Sequence, residues 1–256
     1  MDRALIDGFV RKGFVRIDDA FPRPVAAECR SLLWQETGCD EADPTTWTRP
    51  VIRLADRFDP PFRAAANTPQ LWAAFDALVG AGRWVPRGSV GTFPIRFPSP
   101  IVPDDCGWHI DVSLGWENEP DFLAWRANVT SEGRALLMLF LFSDVGEADA
   151  PTRLRAGSHL DVARRLAPHG AAGLSLRELA STDFSESSDR PEVLATGPAG
   201  TVYLCHPFLV HCAQPHRGRV PKFMAQPALL PRVPLDPFRT DGLESPVERA
   251  IRVALE

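Results

Sequence analysis

Residues 107–113 read Gly-Trp-His-Ile-Asp-Val-Ser and place His109 and Asp111 two positions apart. On a β-strand the side chains of residues i and i+2 leave the same face, so an imidazole and a carboxylate at this spacing can close on one cation. The apolar residues around them would occupy the other face: Trp108, Ile110 and Val112. The alternation fits half of a metal site, and it equally fits an exposed strand with a solvated ion pair.

A second His-x-Asp pair, His159 and Asp161, lies in a different pattern. Apolar residues recur at helical spacing after it, and Ser158 precedes it as a candidate helix cap with Asp161 at the third position. Side chains two apart on a helix diverge by about 200° and do not grip one ion. We therefore expect Asp161 to start a helix and His159 to lie in the preceding loop.

A third ligand would distinguish a metal site from an ion pair. Two histidines and one carboxylate on one face of a metal leave three positions open, as in non-haem Fe(II) oxygenases. Residues 200–211 offer His206 and His211, which are five positions apart and face opposite ways on a regular strand. Pro207 interrupts any ladder between them. The residues alone indicate that at most one of the two ligates.

Composition excludes several classes of function. The chain has 256 residues, 45% of them apolar, and a net charge of −5, which argues against nucleic acid or an anionic membrane as partner. The longest apolar run, residues 135–142, is too short to span a bilayer. The amino-terminal residues lack the apolar core of a signal peptide, and five scattered cysteines suit reduced thiols. We expect a cytoplasmic protein with a small-molecule partner. The sequence pattern gives no indication of the oligomeric state.

Periodicity predicts helices first and strands later in the chain. The predicted helices cover residues 3–12, 22–36, 67–79, 159–167 and 245–255. The predicted strands cover residues 13–17, 90–97, 107–114, 125–129, 136–142, 201–205, 208–212 and 222–230. Short strands punctuated by Gly and Pro favour an antiparallel sandwich or barrel. We expect one domain over residues 1–256, with amino-terminal helices to 83, a β core over 84–231 and a tail with a helix over 232–256.

Three motifs of this chain resemble those of the phytanoyl-CoA dioxygenase family of Fe(II)/2-oxoglutarate oxygenases. The first is His109-x-Asp111, followed about a hundred residues later by GTVYLCHPFLVHCAQPHRGRVPKF, residues 200–223. The second is the opening DGFVRKGFVRIDDAF, residues 7–21, and the third is the Gly-Ser-His segment that ends the stretch 152–159. The likeness covers nearly the whole chain, and the order of the motifs is more specific than any one of them.

The resemblance implies a mainly β fold with flanking helices, namely a double-stranded β-helix (a jelly-roll, cupin-like barrel). It implies a metal site of His109, Asp111 and His211, with His206 and His216 as loop histidines. The implied cofactors are Fe(II), 2-oxoglutarate as co-substrate and O₂. The implied reaction hydroxylates a small molecule and releases succinate and carbon dioxide. Halogenating members of the family lack the metal carboxylate, so Asp111 favours hydroxylation or a related oxidation over halogenation.

The family also places a basic residue, usually arginine, about eleven positions after the distal histidine, where it binds the far carboxylate of 2-oxoglutarate. That position holds Lys222, which can pair with a carboxylate but lacks the bidentate fork of arginine. Arg219 and Arg217 are alternatives, and Thr152 is a further candidate for cofactor binding. Lys222 would share one strand face with Met224 and Gln226.

Two other classes of function fit the same residues. A zinc or nickel cupin-type enzyme could use the three ligands without 2-oxoglutarate, and a non-catalytic member of the fold could bind a small molecule. The substrate is not specified by the pattern. Several residues near the metal strand are candidates to line its pocket, without an assigned role: Arg96, Trp108, Trp116, Trp125 and Arg126.

Overall fold

The computed structural model of the protein describes residues 2–115 and 117–256; Trp116, one of the pocket candidates, lies outside the described residues. The helices are α1 Arg3–Lys12, α2 Arg23–Thr37, α3 Pro60–Ala66, α4 Pro69–Val79, α5 Ser158–Leu166, α6 Leu176–Ala180 and α7 Pro246–Leu255. The strands are β1 Phe14–Ile17, β2 Val51–Leu54, β3 Phe93–Arg96, β4 Arg126–Ala127, β5 Leu136–Leu141, β6 Thr152–Arg155, β7 Leu174–Ser175, β8 Glu192–Ala195, β9 Val202–Cys205, β10 His211–Cys212, β11 Met224–Ala225 and β12 Ala228–Leu229.

The helices begin where their capping residues are. Thr68 accepts a hydrogen bond from the backbone N–H of Leu71 at the start of α4, with Pro69 in the first position. Ser245 and Glu248 form a reciprocal capping box at the start of α7. None of the described helices combines the length and the apolarity that crossing a bilayer requires.

Within the described part of the chain every strand pairing is antiparallel, and the strands form four sheets. The largest has the order β1-β9-β5-β11, with β12 also paired to β5. A three-stranded sheet has the order β10-β6-β8, and two small sheets pair β2 with β3 and β4 with β7. The prediction of a sheet core with flanking helices is therefore confirmed, whereas closure of these sheets into a jelly-roll barrel stays a prediction. Strand β1, which the sequence predicted over residues 13–17, joins the largest sheet.

Strand β5 is buried on both faces, and this explains the apolar run in the sequence. One set of its alternating side chains, with Met138 and Phe140, packs into a cluster with the helices. The other set, with Leu137 and Leu139, packs against Leu154 of β6. A strand covered on both sides reads as a continuous apolar stretch rather than an alternating one.

Two predicted strands are less regular in the structure. The stretch 107–114 forms no continuous strand: His109 bridges to His211, whereas Leu114 bridges to Arg126. The stretch therefore pairs first with β10, which contains His211, and then with β4, which contains Arg126. The predicted strand 222–230 is divided into β11 and β12, because Pro227 between them has no N–H to donate to a ladder.

His159 and His206 form a buried pair beneath α1 and α7, with ring centroids 4.9 Å apart. The Nε2 atom of His159 bonds the carbonyl of Val10 at 3.0 Å, and that of His206 bonds the carbonyl of Val247. His159 thus lies inside α5, not in a loop as the sequence suggested. Burial lowers the pKa of His159 to about 4, so the folded state holds this imidazole neutral.

The free energy of unfolding should decrease as the pH falls, because His159 is buried as a neutral imidazole. The unfolded chain takes up a proton near the ordinary pKa of 6.5, whereas the folded chain does so only near 4. The contribution is therefore complete above pH 6.5 and is lost as the pH falls towards 4, amounting to about 3 kcal/mol of unfolding free energy. Urea unfolding at a series of pH values measures this, and a His159→Gln variant should show a shallower pH dependence. An exposed-histidine control, His169→Gln, should keep the full dependence; equal slopes in all three proteins would contradict the assignment.

Candidate metal centre

His109 and His211 are joined by a pair of backbone hydrogen bonds. The N–H of each residue donates to the carbonyl of the other, at 3.0 and 2.9 Å. Residues directly opposite each other in an antiparallel pair project to the same face, so both imidazoles point to one side. Their ring centroids lie 4.3 Å apart. The bridge therefore brings together two histidines that are about a hundred positions apart in the sequence.

Asp111 completes a three-residue cluster with these histidines. One ligand atom from each of His109, Asp111 and His211 lies within 4.8 Å of the other two. The Oδ1 atom of Asp111 is 3.8 Å from Nε2 of His211. The two-residue spacing puts the side chains of Asp111 and His109 on the same side of the backbone, as the alternation predicted. The three groups are thus close enough to converge on one cation.

Backbone carbonyls orient both imidazoles for metal binding. Nδ1 of His109 lies 2.9 Å from the carbonyl of Gly107, and Nδ1 of His211 lies 3.0 Å from that of Leu209. A carbonyl only accepts, so Nδ1 carries the proton in each ring and Nε2 keeps its lone pair. A hydrogen bond from Nδ1 to a carbonyl is the usual support of a metal-binding imidazole. Burial lowers the pKa of His211 to about 4, which keeps this ring neutral.

Arg134 stabilises the ionised form of Asp111. Burial alone would raise the pKa of this carboxyl, but the charge of Arg134 and the two imidazoles hold it below its ordinary value. Nη1 of Arg134 lies 3.0 Å from Oδ2 of Asp111. One carboxylate oxygen thus meets Arg134 while the other faces His211.

Gln226 occupies the free nitrogen of His211. Its amide nitrogen lies 2.9 Å from Nε2 of His211, and the same side chain bonds Asp111. A metal ion on Nε2 would require this amide to turn away. The sequence already placed Gln226 on the same strand face as Lys222, so alternation along this strand was the signal that could have identified it.

Ser158 holds the strand that carries His211. Its hydroxyl accepts a hydrogen bond from the backbone N–H of Val210 at 2.8 Å, and the residue preceding α5 is Gly157. The expected capping role of Ser158 is therefore wrong, because its hydroxyl is used by a neighbouring strand. Asp161, expected to complete the capping box, instead pairs with Arg190 at 2.7 Å.

The other two histidines of this region lie outside the cluster. His206 belongs to the buried pair beneath α1 and α7. His216 bonds the carbonyl of Val220 at 2.8 Å through Nε2, and its Nδ1 accepts the N–H of Gly218. Both nitrogens of His216 are thus used within its own turn.

A partly enclosed space of about 120 Å³, here called the inner cavity, adjoins the histidines. The described residues that line it are Pro94, Arg96, Asp105, His109, Thr152, His211, Ala213, Met224 and Gln226. Arg96 is 5% exposed and pairs with Asp105 at 2.7 Å through Nη2. Its Nη1 is buried without a hydrogen-bond partner. A buried guanidinium with a free donor at a cavity wall is suited to an anionic ligand.

Lys222 lies directly opposite Arg96. Their backbones exchange two hydrogen bonds, at 3.0 and 2.8 Å, so both side chains project to one face. Lys222 is 1% exposed, and its ammonium donates to the carbonyl of Ala150. Burial, with the charge of Arg96, places the pKa of Lys222 well below its ordinary value. Of these two basic groups, Arg96 lines the inner cavity, whereas Lys222 is buried beside Arg96 and is not among the residues that line it.

The remaining cofactor candidates are placed differently. Thr152 is buried in the wall of the inner cavity, with its hydroxyl 3.7 Å from the sulfur of Met224. Arg217 and Arg219 are exposed, and neither is among the described residues that line the cavities at the cluster. Arg96 was noted from the sequence without a role; its importance depends on a contact across strands that no local pattern reveals.

Two larger grooves reach the cluster from outside. The aspartate groove, of about 510 Å³, is lined by Arg53, Leu54, Ala55, Thr92, Pro94, Asp111 and Gln226. The tryptophan groove, of about 400 Å³, is lined by Val112, Ser113, Trp125, Gly133, Arg134, Ala228, Leu230 and Pro231. The contact between Asp111 and Arg134 joins the two linings. The cluster therefore lies between a small cavity with a buried cation and space for a larger molecule.

Two other pocket candidates serve packing. Trp108 lies beneath the guanidinium groups of Arg153 and Arg155, at 4.7 and 4.0 Å from its ring. Arg126 donates to the carbonyls of Ala172 and Gly173.

No family model matches the chain, and no curated protein does. Solved structures do match the chain. HygX from Streptomyces hygroscopicus with nickel and 2-oxoglutarate bound has a TM-score of 0.57 and 19% identity, covering 91% of this chain and 88% of its own. The epimerase SnoN in complex with Fe³⁺, alpha ketoglutarate and nogalamycin RO has a TM-score of 0.60 and 19% identity, with coverages of 89% and 82%. The alpha ketoglutarate dependent carbocyclase SnoK has a TM-score of 0.56 and 17% identity, with coverages of 94% and 89%.

These likenesses establish the fold, which is that of 2-oxoglutarate-dependent non-haem enzymes. Members with this fold carry out different reactions, so the fold by itself does not specify one. Membership of the phytanoyl-CoA dioxygenase family stays a prediction.

Metal binding should depend on the three clustered residues. Changing His109, Asp111 or His211 to Ala should weaken Ni(II) binding at least about 100-fold, since even residues that only support a ligand contribute 10- to 100-fold. Isothermal titration calorimetry measures the affinity, with exposed His169→Ala as the matched control. Tight binding retained in all three variants would place the metal elsewhere.

Proposed function

We propose that this protein is a non-haem Fe(II)- and 2-oxoglutarate-dependent dioxygenase that hydroxylates a small molecule. The carrying observation is one arrangement: the cluster of His109, Asp111 and His211 places its two histidines in the wall of a cavity that also holds Arg96 with a free buried donor. A divalent metal and a dicarboxylate are the ligands that suit these two features.

The donor set fits Fe(II). Two neutral imidazoles and one ionised carboxylate are the ligands of the facial arrangement that leaves three positions for other ligands. His109 and His211 present Nε2, and Asp111 presents Oδ1 while Oδ2 meets Arg134. No thiolate lies in the cluster, which disfavours a structural zinc site.

The inner cavity fits 2-oxoglutarate. Its keto acid end would meet the metal beside the histidines, and Arg96 with Lys222 would hold the far carboxylate. Nη1 of Arg96 is free to donate, and a carboxylate beside Lys222 would favour its charged form. Thr152 adds a hydroxyl in the same wall. Arg219, the alternative anchor, is exposed on the surface.

Iron with 2-oxoglutarate would supply the oxidising chemistry, with O₂ as the oxidant and with succinate and carbon dioxide as products. The chain's residues bind and orient the reactants. The carbonyls of Gly107 and Leu209 hold the imidazole rings, and Arg134 holds Asp111 ionised. The buried strands around the inner cavity exclude water from the reacting groups. HygX, SnoN and SnoK, which share the fold, support this class of chemistry.

The wider assignments are proposals of the same kind. We propose a single oxygenase-like domain over residues 1–256, a double-stranded β-helix barrel, membership of the phytanoyl-CoA dioxygenase family and a cytoplasmic location. The order of motifs and the shared fold support the first three, and the five unpaired cysteines support the location.

Binding of 2-oxoglutarate should require Arg96 and Lys222. Arg96→Gln should raise the dissociation constant for 2-oxoglutarate about 10- to 100-fold, because a charge-assisted hydrogen bond is lost, and Lys222→Met should act in the same direction. Calorimetry on the Ni(II)-loaded protein measures this, with Arg219→Gln as the control. A large effect in Arg219→Gln with none in the other two would move the anchor to the surface arginine.

Anaerobic titration with Fe(II) and then 2-oxoglutarate tests the function directly. We expect a visible metal-to-ligand charge-transfer band that is absent from the His109→Ala, Asp111→Ala and His211→Ala variants. A band that survives in Asp111→Ala would remove that residue from the site. Bound metal without a band would favour a cupin-type enzyme that does not use 2-oxoglutarate, and failure to bind either would favour a non-catalytic protein.

A further inference from the structure

Arg134 has an unusual environment for a buried guanidinium. Its side chain is 14% exposed, and Nε and Nη1 are buried without hydrogen-bond partners. Its contact with Asp111 is an ion pair at 3.0 Å whose geometry does not satisfy a hydrogen bond. Arg155, which is also buried, leaves only Nε without a partner, because it donates to the carbonyl of Phe184 and the hydroxyl of Ser187. In Arg134, Nε has no acceptor and Nη1 has only the poorly aligned carboxylate of Asp111, so a ligand that supplies a further oxygen atom is favoured here.

The tryptophan groove is otherwise mostly apolar. Arg134 is the one charged side chain among its described lining residues, which include Trp125, Ala228 and Leu230. Its volume of about 400 Å³ is within the range of small-molecule pockets. An apolar wall with a single cation suits a molecule that has an apolar body and one anionic group.

A second cation, Arg87, acts on Arg134, and the carboxylate of Asp56 partly offsets its charge. Burial lowers the pKa of Arg87, and the positive charge of Arg134 lowers this pKa further, whereas the negative charge of Asp56 raises it. The two arginines therefore repel each other. Asp56 already accepts a hydrogen bond from Ser89. No described carboxylate other than Asp111 lies within ion-pair distance of Arg134.

The groove is distinct from the inner cavity. Arg134 is not among the residues that line the inner cavity, which has its own cation, Arg96. It does contact Asp111, so a molecule bound to Arg134 lies beside the metal carboxylate. This is where a substrate must be placed to be oxidised.

We infer that the substrate is a small organic acid whose oxyanion binds Arg134 and whose apolar body lies along Trp125 and Leu230. The inference rests on the proposed function, which makes the cluster the place of reaction. A carboxylate and a phosphate share the required chemistry, since both accept two parallel hydrogen bonds from a guanidinium. Arg134 then serves both the metal carboxylate and the substrate.

The test compares matched acids and an amide on the Ni(II)- and 2-oxoglutarate-loaded protein. The probes are 3-phenylpropanoate, 2-phenylethyl phosphate and the neutral 3-phenylpropanamide, followed by calorimetry. At least one acid should bind about tenfold or more tightly than the amide, the strength of a charge-assisted pair. The better of the two acids identifies the oxyanion. Equal binding of all three probes, or no binding of either acid, would overturn the inference.

Variants assign the preference to Arg134. Arg134→Gln should lower the affinity of the acid to that of the amide, and Arg134→Lys should retain part of the preference as a point charge without the fork. Arg23→Gln, at an exposed arginine paired with Asp144, should leave it unchanged. A preference that survives in Arg134→Gln would overturn the assignment. So would a loss of Ni(II) or 2-oxoglutarate affinity as large as the loss of acid affinity, since Arg134 would then serve the metal centre alone.

Two features keep this test separate from the proposed function. The acid-to-amide ratio of the unaltered protein needs no variant, so it decides the question even where Arg134→Gln fails to fold. Calorimetry also needs no chromophore. Protein that binds neither Ni(II) nor 2-oxoglutarate refutes the proposed function, and the acid preference is then measured on the protein alone.

Discussion

The two backbone hydrogen bonds between His109 and His211 are the constraint on which the rest of the site depends. They set the register of the two segments, and in an antiparallel pair the register determines which side chains share a face. A slip of one residue would turn His211 away from His109 and Asp111. Ser158 secures this register through the N–H of Val210, which is why a motif outside the metal cluster still matters to it.

A second bridge of the same kind places Arg96 in the wall of the inner cavity. Arg96 and Lys222 are joined backbone to backbone, and their side chains lie on one face. The segment that starts at Lys222 then presents Gln226 to the cluster and Leu230 to the tryptophan groove. One extended segment thus borders the co-substrate space, the metal ligands and the proposed substrate space. Buried positive charge at Arg96 and Arg134, on either side of the cluster, favours anionic ligands in both spaces.

Much of the secondary structure could be predicted from local signals. Capping residues and apolar spacing placed α1, α4 and α7 within two residues of their ends, because these signals act over a single turn. Strands β2, β6 and β8 were missed. They are short, and their pairing partners lie far away in the sequence, so no local pattern marks them.

The sequence by itself determined the spacing of His109 and Asp111, the candidates for the third ligand and the order of motifs that resembles an oxygenase family. Only the tertiary structure decided which distant groups meet: His211 with the pair, Arg96 with Lys222 and Arg134 with Asp111. The physical reason is the range of the interactions. Side-chain alternation acts over two residues and is readable along the chain, whereas the pairing of strands depends on how the whole core packs, and no short stretch encodes it.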